Sequence, residues 1–279
     1  MSKTGLLLLL AVLPVIAILF YVYKKDKTKE PMWLLLSFFS KGILSCFLVF
    51  TISDVLSMFL PFMNKETEEM IFVEVAIYSF FCVALVEEFC KWLMVYRGGY
   101  HHKEFDEIYD ILVYSIFVSL GFAFFENIMY VLTSKSIYIA LLRAVSAIPG
   151  HACDAVFMGY YLSLAKQCRI LNKPNKEKEY IRMSIFIPTI LHGIYDFCLM
   201  SGYMIFIIVF LVFVIWLYTM SIGKLNKLAK ANRNINVHQQ RPNPVPQQQL
   251  PQQPPVMYCS GCGEKLYGPF CTKCGRKNY

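Results

Sequence analysis

The chain has 279 residues, 57% of them hydrophobic and only 16% charged, with a mean hydropathy of +0.48 and a formal net charge of +8. That is too apolar for an ordinary soluble domain, so a soluble enzyme is excluded and a polytopic membrane protein is expected. The basic balance reads as a positive-inside bias plus attraction to the anionic lipid bilayer, which disfavours nucleic acid as a partner.

Seven apolar runs are long enough to cross a hydrocarbon core of about 30 Å at about 1.5 Å per residue. They fall at 5–23, 33–54, 71–96, 111–132, 139–165, 182–199 and 203–222. The first, "GLLLLLAVLPVIAILFYVY", has no small-residue cleavage site, and its basic cluster follows the apolar stretch, so it reads as a retained span. Starting with the N-terminus outside, twelve basic residues (Lys24, Lys25 and Lys27 among them) fall on inner loops and only Lys3, Lys65 and Lys135 on outer segments. That asymmetry predicts a multi-pass protein of the cell membrane with a cytoplasmic C-terminus.

Several of these spans carry charges that a purely structural helix would avoid. Each costs roughly 2.5 to 3.5 kcal/mol at the bilayer centre by insertion scales. The third holds "ALVEEFCKWLMVY", with Glu87 and Lys91 four apart on one face and Glu88 beside them. In the fourth, "GFAFFENIMYVL" sets Glu126 four residues before Tyr130, with Asn127 adjacent. An isolated pair of this kind would be Tyr130 satisfying a buried carboxylate.

The fifth span, "RAVSAIPGHACDAVFMGYY", should break or kink at Pro149 and Gly150, just before His151, with Asp154 three residues on. The sixth, "TILHGIYDFCL", places His192 and Asp196 on one face. From the helical rise, Glu87 lies about 13 Å from the inner surface, Glu126 about 22 Å, His151 about 12 to 20 Å and His192 about 15 Å. These depths are compatible with one shared cavity.

The tail has two parts. The linker is basic and then rich in Pro and Gln ("INVHQQRPNPVPQQQLPQQPPVM"), a composition that builds no core. Beyond it, Cys259, Cys262, Cys271 and Cys274 form two C-x-x-C-G knuckles, whose four thiolates suit a closed, tetrahedral structural zinc site. A reducing cytosol argues against two disulfides. The expected organisation is a transmembrane domain over 1–223, a linker over 224–257 and a small zinc ribbon over 258–279. The fold class is all-α and polytopic, with about seven transmembrane helices.

Taken in order, "EEFCK" (E-E-x-x-K), "FENIMY" (F-E-x-x-x-Y), "RAVSAIPGH" and "HGIYD" (H-x-x-x-D) resemble the PrsW family of intramembrane proteases, distant relatives of the CAAX prenyl endopeptidases. The resemblance covers about 35–197 and leaves the tail out. It implies a catalytic centre of Glu87 and Glu88 supported by Glu126, His151 and His192. It also implies a membrane-bound regulatory substrate, such as an anti-sigma factor whose cleavage starts a stress response.

The residues support hydrolysis in their own right. A desolvated carboxylate beside a like charge is a suitable general base, Lys91 would hold the other glutamate ionised, and a histidine can donate to an oxyanion. Two histidines and one glutamate would also satisfy a catalytic zinc ion, so a metal-free centre and a metalloprotease are both open. Asp196 would orient His192. Two other classes use the same residues: a proton or ion pathway, and a receptor whose ribbon recruits a cytosolic protein. A single-span membrane protein is the partner expected of the protease.

Overall fold

The computed structural model describes residues 2–232, 257–266 and 269–277. The chain divides into two compact units, Met1–Gln239 and Gln240–Tyr279.

The described residues of the first unit are mostly helical. Its elements are α1 (Lys3–Lys25), α2 (Met32–Phe59), α3 (Phe72–Ile77), α4 (Leu85–Val95), α5 (Asp110–Ser134), α6 (Ile137–Val145), α7 (Ala147–Ile170), α8 (Pro174–Met200) and α9 (Met204–Ala231). Six helical stretches are long and apolar enough to cross a membrane, α6 and α7 together forming one of them. The seventh apolar run is the segment from Phe72 to Tyr100, where α3 and α4 are joined by a π-helical stretch (Tyr78–Ala84) and a second one follows (Tyr96–Tyr100). The protein is therefore a multi-pass membrane protein.

Local chemistry sets several of the ends. Ser2 accepts the Gly5 amide at the start of α1, while Lys24 and Lys25 lie at its carbonyl end, where the helix dipole favours cations. Residues Leu7, Ala11, Val15 and Val22 form its one buried stripe. The helix α9 exposes Ile205, Ile208, Leu211, Val212 and Ile215, as expected of an outer helix whose solvent is lipid.

At the centre stands α5, packed against α1, α2, α4 and α7. Close approach needs small residues at the α2–α5 seam. A methyl group on Gly42 would come within 2.0 Å of the Val118 carbonyl oxygen, and one on Gly121 within 2.0 Å of that of Phe39. This seam places α5, and hence Glu126, firmly against α2.

Two details differ from expectation. The fifth span breaks at Ser146, between α6 and α7, and not at Pro149, which sits in the first turn of α7 where a missing N–H leaves no bond unmade. Helix α9 runs on to Ala231, past the expected end at 223, and the stretch of the linker from 233 to 256 lies outside the described residues.

The second unit is small. Its two knuckles are each closed by one antiparallel bridge, Tyr258 to Lys265 and Phe270 to Lys277. Gly263 and Gly275 follow the second cysteine of each knuckle with φ of 75° and 73°, a conformation open to glycine without strain.

Candidate functional site

The charged residues of the third, fourth, fifth and sixth spans meet. Donor atoms of Glu87, Glu88, His151 and His192 all lie within 4.8 Å of one another, and all four residues are buried. Helix α4 supplies the glutamates and Lys91, α7 supplies His151 and Asp154, and α8 supplies His192 and Asp196. A π-helical turn immediately precedes α4, and such turns are frequent at functional sites.

Lys91 is the hub. Its ammonium lies 3.1 Å from Glu87 Oε2, 2.8 Å from Glu88 Oε1 and 3.2 Å from His151 Nδ1, and 4.1 Å from the centre of the Phe122 ring. Because an ammonium can only donate, His151 Nδ1 accepts and its Nε2–H is left to donate to Glu126 Oε2 at 3.0 Å. His192 turns Nδ1 to Glu88 Oε1 at 3.0 Å and Nε2 to Asp196 Oδ2 at 3.4 Å.

Arg143, which the sequence reading did not single out, completes the outer part. Its guanidinium donates to Glu126 Oε2 and to Asn127 Oδ1, both at 2.7 Å, and lies 3.8 Å over the Tyr130 ring. Tyr130 thus supports Glu126 through Arg143. The direct tyrosine–carboxylate contact that an isolated pair would make is replaced by this stack. The only sequence signal was a lone arginine ahead of "AVSAIPGH" at the edge of an apolar run.

The cluster opens on a cavity of about 450 Å³. Glu87, Glu126, His151, Asp154, His192 and Asp196 line it, with an apolar wall that includes Val49, Phe50 and Leu142. Glu88 does not line the cavity and is fully buried against Lys91 and His192. Cys46 also faces the cavity, but its thiol is directed to the Phe122 carbonyl oxygen at 3.6 Å.

The donor chemistry fits a divalent ion. His192 presents Nδ1 to Glu88 and Nε2 to Asp196, and His151 presents Nε2 to Glu126 while its Nδ1 accepts from Lys91; such imidazole–carboxylate contacts are the kind that orient metal-bound histidines. Glu88 Oε2 is buried without a hydrogen-bond partner. Five carboxylates (Glu87, Glu88, Glu126, Asp154 and Asp196) face two fixed cations, Lys91 and Arg143. Part of the space such an ion would need is taken by the Lys91 ammonium.

The tail cysteines also converge. The Sγ atoms of Cys259 and Cys274 are 3.6 Å apart and those of Cys262 and Cys271 are 3.5 Å apart, close to the edge of about 3.8 Å that four thiolates form around zinc. All four lie within 4.8 Å of one another, so this cluster fits a tetrahedral metal ion.

Buried glutamates and histidines contributed by three helices of a membrane bundle, opening on a cavity with one apolar wall, define a protein of the intramembrane hydrolase class. Comparison with known proteins narrows the class: residues 30–220 match the model of the PrsW family of intramembrane metalloproteases, and the chain belongs to that family. It is 37% identical to Protease PrsW of Oceanobacillus iheyensis over 225 residues, covering 81% of this chain and 95% of that protein. Protease PrsW of Clostridioides difficile is 34% identical over 233 residues (82% and 94%), and that of Bacillus subtilis 34% identical over 231 residues (81% and 95%). No solved structure matches the chain. The protein is an intramembrane protease.

Proposed function

We propose that the chain hydrolyses a peptide bond of a single-span regulatory membrane protein, of the anti-sigma-factor type, at or within the bilayer, using water activated by Glu87. The observation that carries this reading is the division of labour between the adjacent glutamates. Glu87 lines the cavity, whereas Glu88 does not and is fully buried, bonded to Lys91 and His192.

In this mechanism the substrate's scissile carbonyl enters the cavity and Glu87 takes a proton from water as the oxygen attacks the carbonyl carbon. His192 keeps Nδ1 on Glu88 and turns its Nε2–H from Asp196, a contact of 3.4 Å, to the developing oxyanion, and the charge of Lys91 lowers the energy of the negative cluster. Glu87 then passes its proton to the leaving nitrogen as the C–N bond breaks. Glu126, itself held by Arg143, fixes the His151 ring. If the family's metal is present, Glu88, His151 and His192 would hold it, and it would acidify the water and polarise the carbonyl.

The apolar wall built by Val49, Phe50 and Leu142 suits a substrate arriving as a membrane helix. In the same reading the N-terminus lies outside, the C-terminus is cytoplasmic, and the tail binds structural zinc and presents a module for a cytosolic partner. The test compares membrane peptides, by mass spectrometry, between cells carrying the wild type and cells carrying Glu87→Gln. Accumulation of truncated single-span peptides only with the wild type is expected; identical peptide sets would refute the proposal.

A further inference from the structure

A second acidic cluster lies apart from the catalytic centre, where α1 ends and α5 begins. Oxygen atoms of Asp26, Glu107 and Asp110 lie within 4.8 Å of one another. Asp26 is 3% exposed and Asp110 1%, so this is no solvated patch of surface carboxylates.

The oxygens are unevenly satisfied. Asp110 Oδ2 accepts the amides of Asp106 at 3.1 Å and Glu107 at 2.7 Å, which fixes the carboxylate, while its Oδ1 is buried with no partner. Glu107 accepts from the Thr28 hydroxyl at 2.8 Å and from the Asn232 amide. Neither carboxylate oxygen of Asp26 has a partner of hydrogen-bond geometry, although the amides of Thr28 and Glu30 lie nearby.

A fourth carboxylate independently points the same way. Glu30 is 7% exposed, sits close enough to feel the charge of Asp26, and also has a buried oxygen, Oε2, without a partner. The cation felt at Asp26 is Lys29, yet it directs its ammonium to the main-chain oxygens of Tyr23 and Asp26 at 2.7 and 2.9 Å. Buried carboxylates without counter-charge are costly, and an ion bridging their free oxygens removes that cost.

We propose that Asp26, Glu107 and Asp110, with Glu30 beside them, form a binding site for a hard divalent cation of the Mg²⁺ or Ca²⁺ type. An all-oxygen donor set selects such ions over zinc. Oxygens bound to one Ca²⁺ at about 2.3–2.6 Å are separated by up to about 5 Å, which matches the spacing here, and Mg²⁺ needs only a small inward adjustment with water filling the remaining positions.

The site would clamp four parts of the chain. Asp26 belongs to the end of α1, Glu107 and Asp110 to the loop and first residue of α5, and Asn232 to the end of α9. Asn232 joins the arrangement by donating to Glu107 and accepting the Tyr109 amide at 3.1 Å. A bound cation therefore fixes the point at which α9 leaves the bundle.

The test uses Mn²⁺ as a paramagnetic probe of the full-length, zinc-loaded protein in detergent. One saturable Mn²⁺ per chain is expected, displaced by Ca²⁺ or Mg²⁺, which should also raise the Tm. Asp26→Asn and Asp110→Asn should each weaken Mn²⁺ binding by about tenfold or more, because charge count sets affinity at such sites. Asn at 110 keeps an acceptor for the two amides, and Asp26→Asn serves should that variant fail to fold. Glu88→Gln, which removes a carboxylate that would hold a metal at the catalytic centre, should bind Mn²⁺ as the wild type does. The proposal is overturned by the absence of saturable wild-type binding at millimolar Mn²⁺. It is equally overturned by binding that survives both asparagine variants or disappears in Glu88→Gln; in those cases shared protons, or the catalytic centre, account for the observations.

Discussion

Replacing Lys91 by methionine keeps the aliphatic stem and removes the ammonium, leaving Glu87 and Glu88 without the group that touches both. Lys91 and Glu88 are 0% exposed, with contacts of 3.1 and 2.8 Å to the two carboxylates, so water cannot substitute for it. Breaking a buried pair from one side costs about 3–5 kcal/mol. For a domain of this size each kcal/mol moves the Tm by about 2–4 °C, so a fall of about 6–20 °C is expected. The assay is thermal unfolding in detergent followed by fluorescence of Trp33, Trp92 and Trp216. A second substitution decides the cause: Glu88→Gln in the Lys91→Met background removes the stranded charge and should recover a large part of the loss, giving a strong coupling in the double-mutant cycle. An unchanged Tm in Lys91→Met, or a double variant less stable than the single one, would refute the argument that Lys91 is the counter-ion of the glutamate pair.

Cleavage should fall by at least about a hundredfold in Glu87→Gln and in Glu88→Gln, with normal amounts of folded protein, while Leu93→Met changes it little; gel analysis of a co-expressed single-span substrate reads this out. Gly193→Ala should destabilise by about 1–3 kcal/mol and slow cleavage, since the added methyl would sit 2.3 Å from the Phe80 ring beside His192; an active variant with wild-type Tm would contradict this packing. Cys259→Ser with Cys262→Ser should remove one zinc per chain, measured by elemental analysis, and leave cleavage of a minimal substrate intact. A chain ending after Gln239, which retains Asn232 and its contact to Glu107, separates the two metal questions. If Glu87 acts without a metal, chelator leaves this shortened chain active; activity lost with chelator and regained with zinc establishes the metal-dependent route.

That the candidate residues would meet was legible because ionisable residues stand out against apolar helices. Glu87, Glu88, Glu126, His151 and His192 were each identifiable from their setting and brought together by simple depth arithmetic. Arg143 was not, because a single arginine near a span end reads as an interfacial anchor until Glu126 is seen beneath it. The break at Ser146 was misplaced because Pro149 is the stronger local signal, yet proline is harmless in a first helical turn. The π-helical stretches around α4 leave no mark on hydrophobic periodicity, since the run is apolar on every side. Asp26, Glu30, Glu107 and Asp110 were invisible for the opposite reason: they lie in or beside charged loops, where carboxylates are expected to be solvated, and only the fold buries them.

The pairing pattern of the buried charges also dictates an order of assembly. Lys91 meets Glu88 and Glu87 three and four residues away on its own helix, so this segment can neutralise part of its charge as soon as it becomes helical, before α5, α7 or α8 is synthesised. Glu126 must wait, because its guanidinium partner is 17 residues further along the chain, on the next helix. The segment carrying the two glutamates can therefore leave the insertion machinery with a self-contained charge cluster. The α5 segment commits fully only once α6 has followed it, and a nascent chain stopped between Glu126 and Arg143 should remain at the insertion machinery as a separable intermediate.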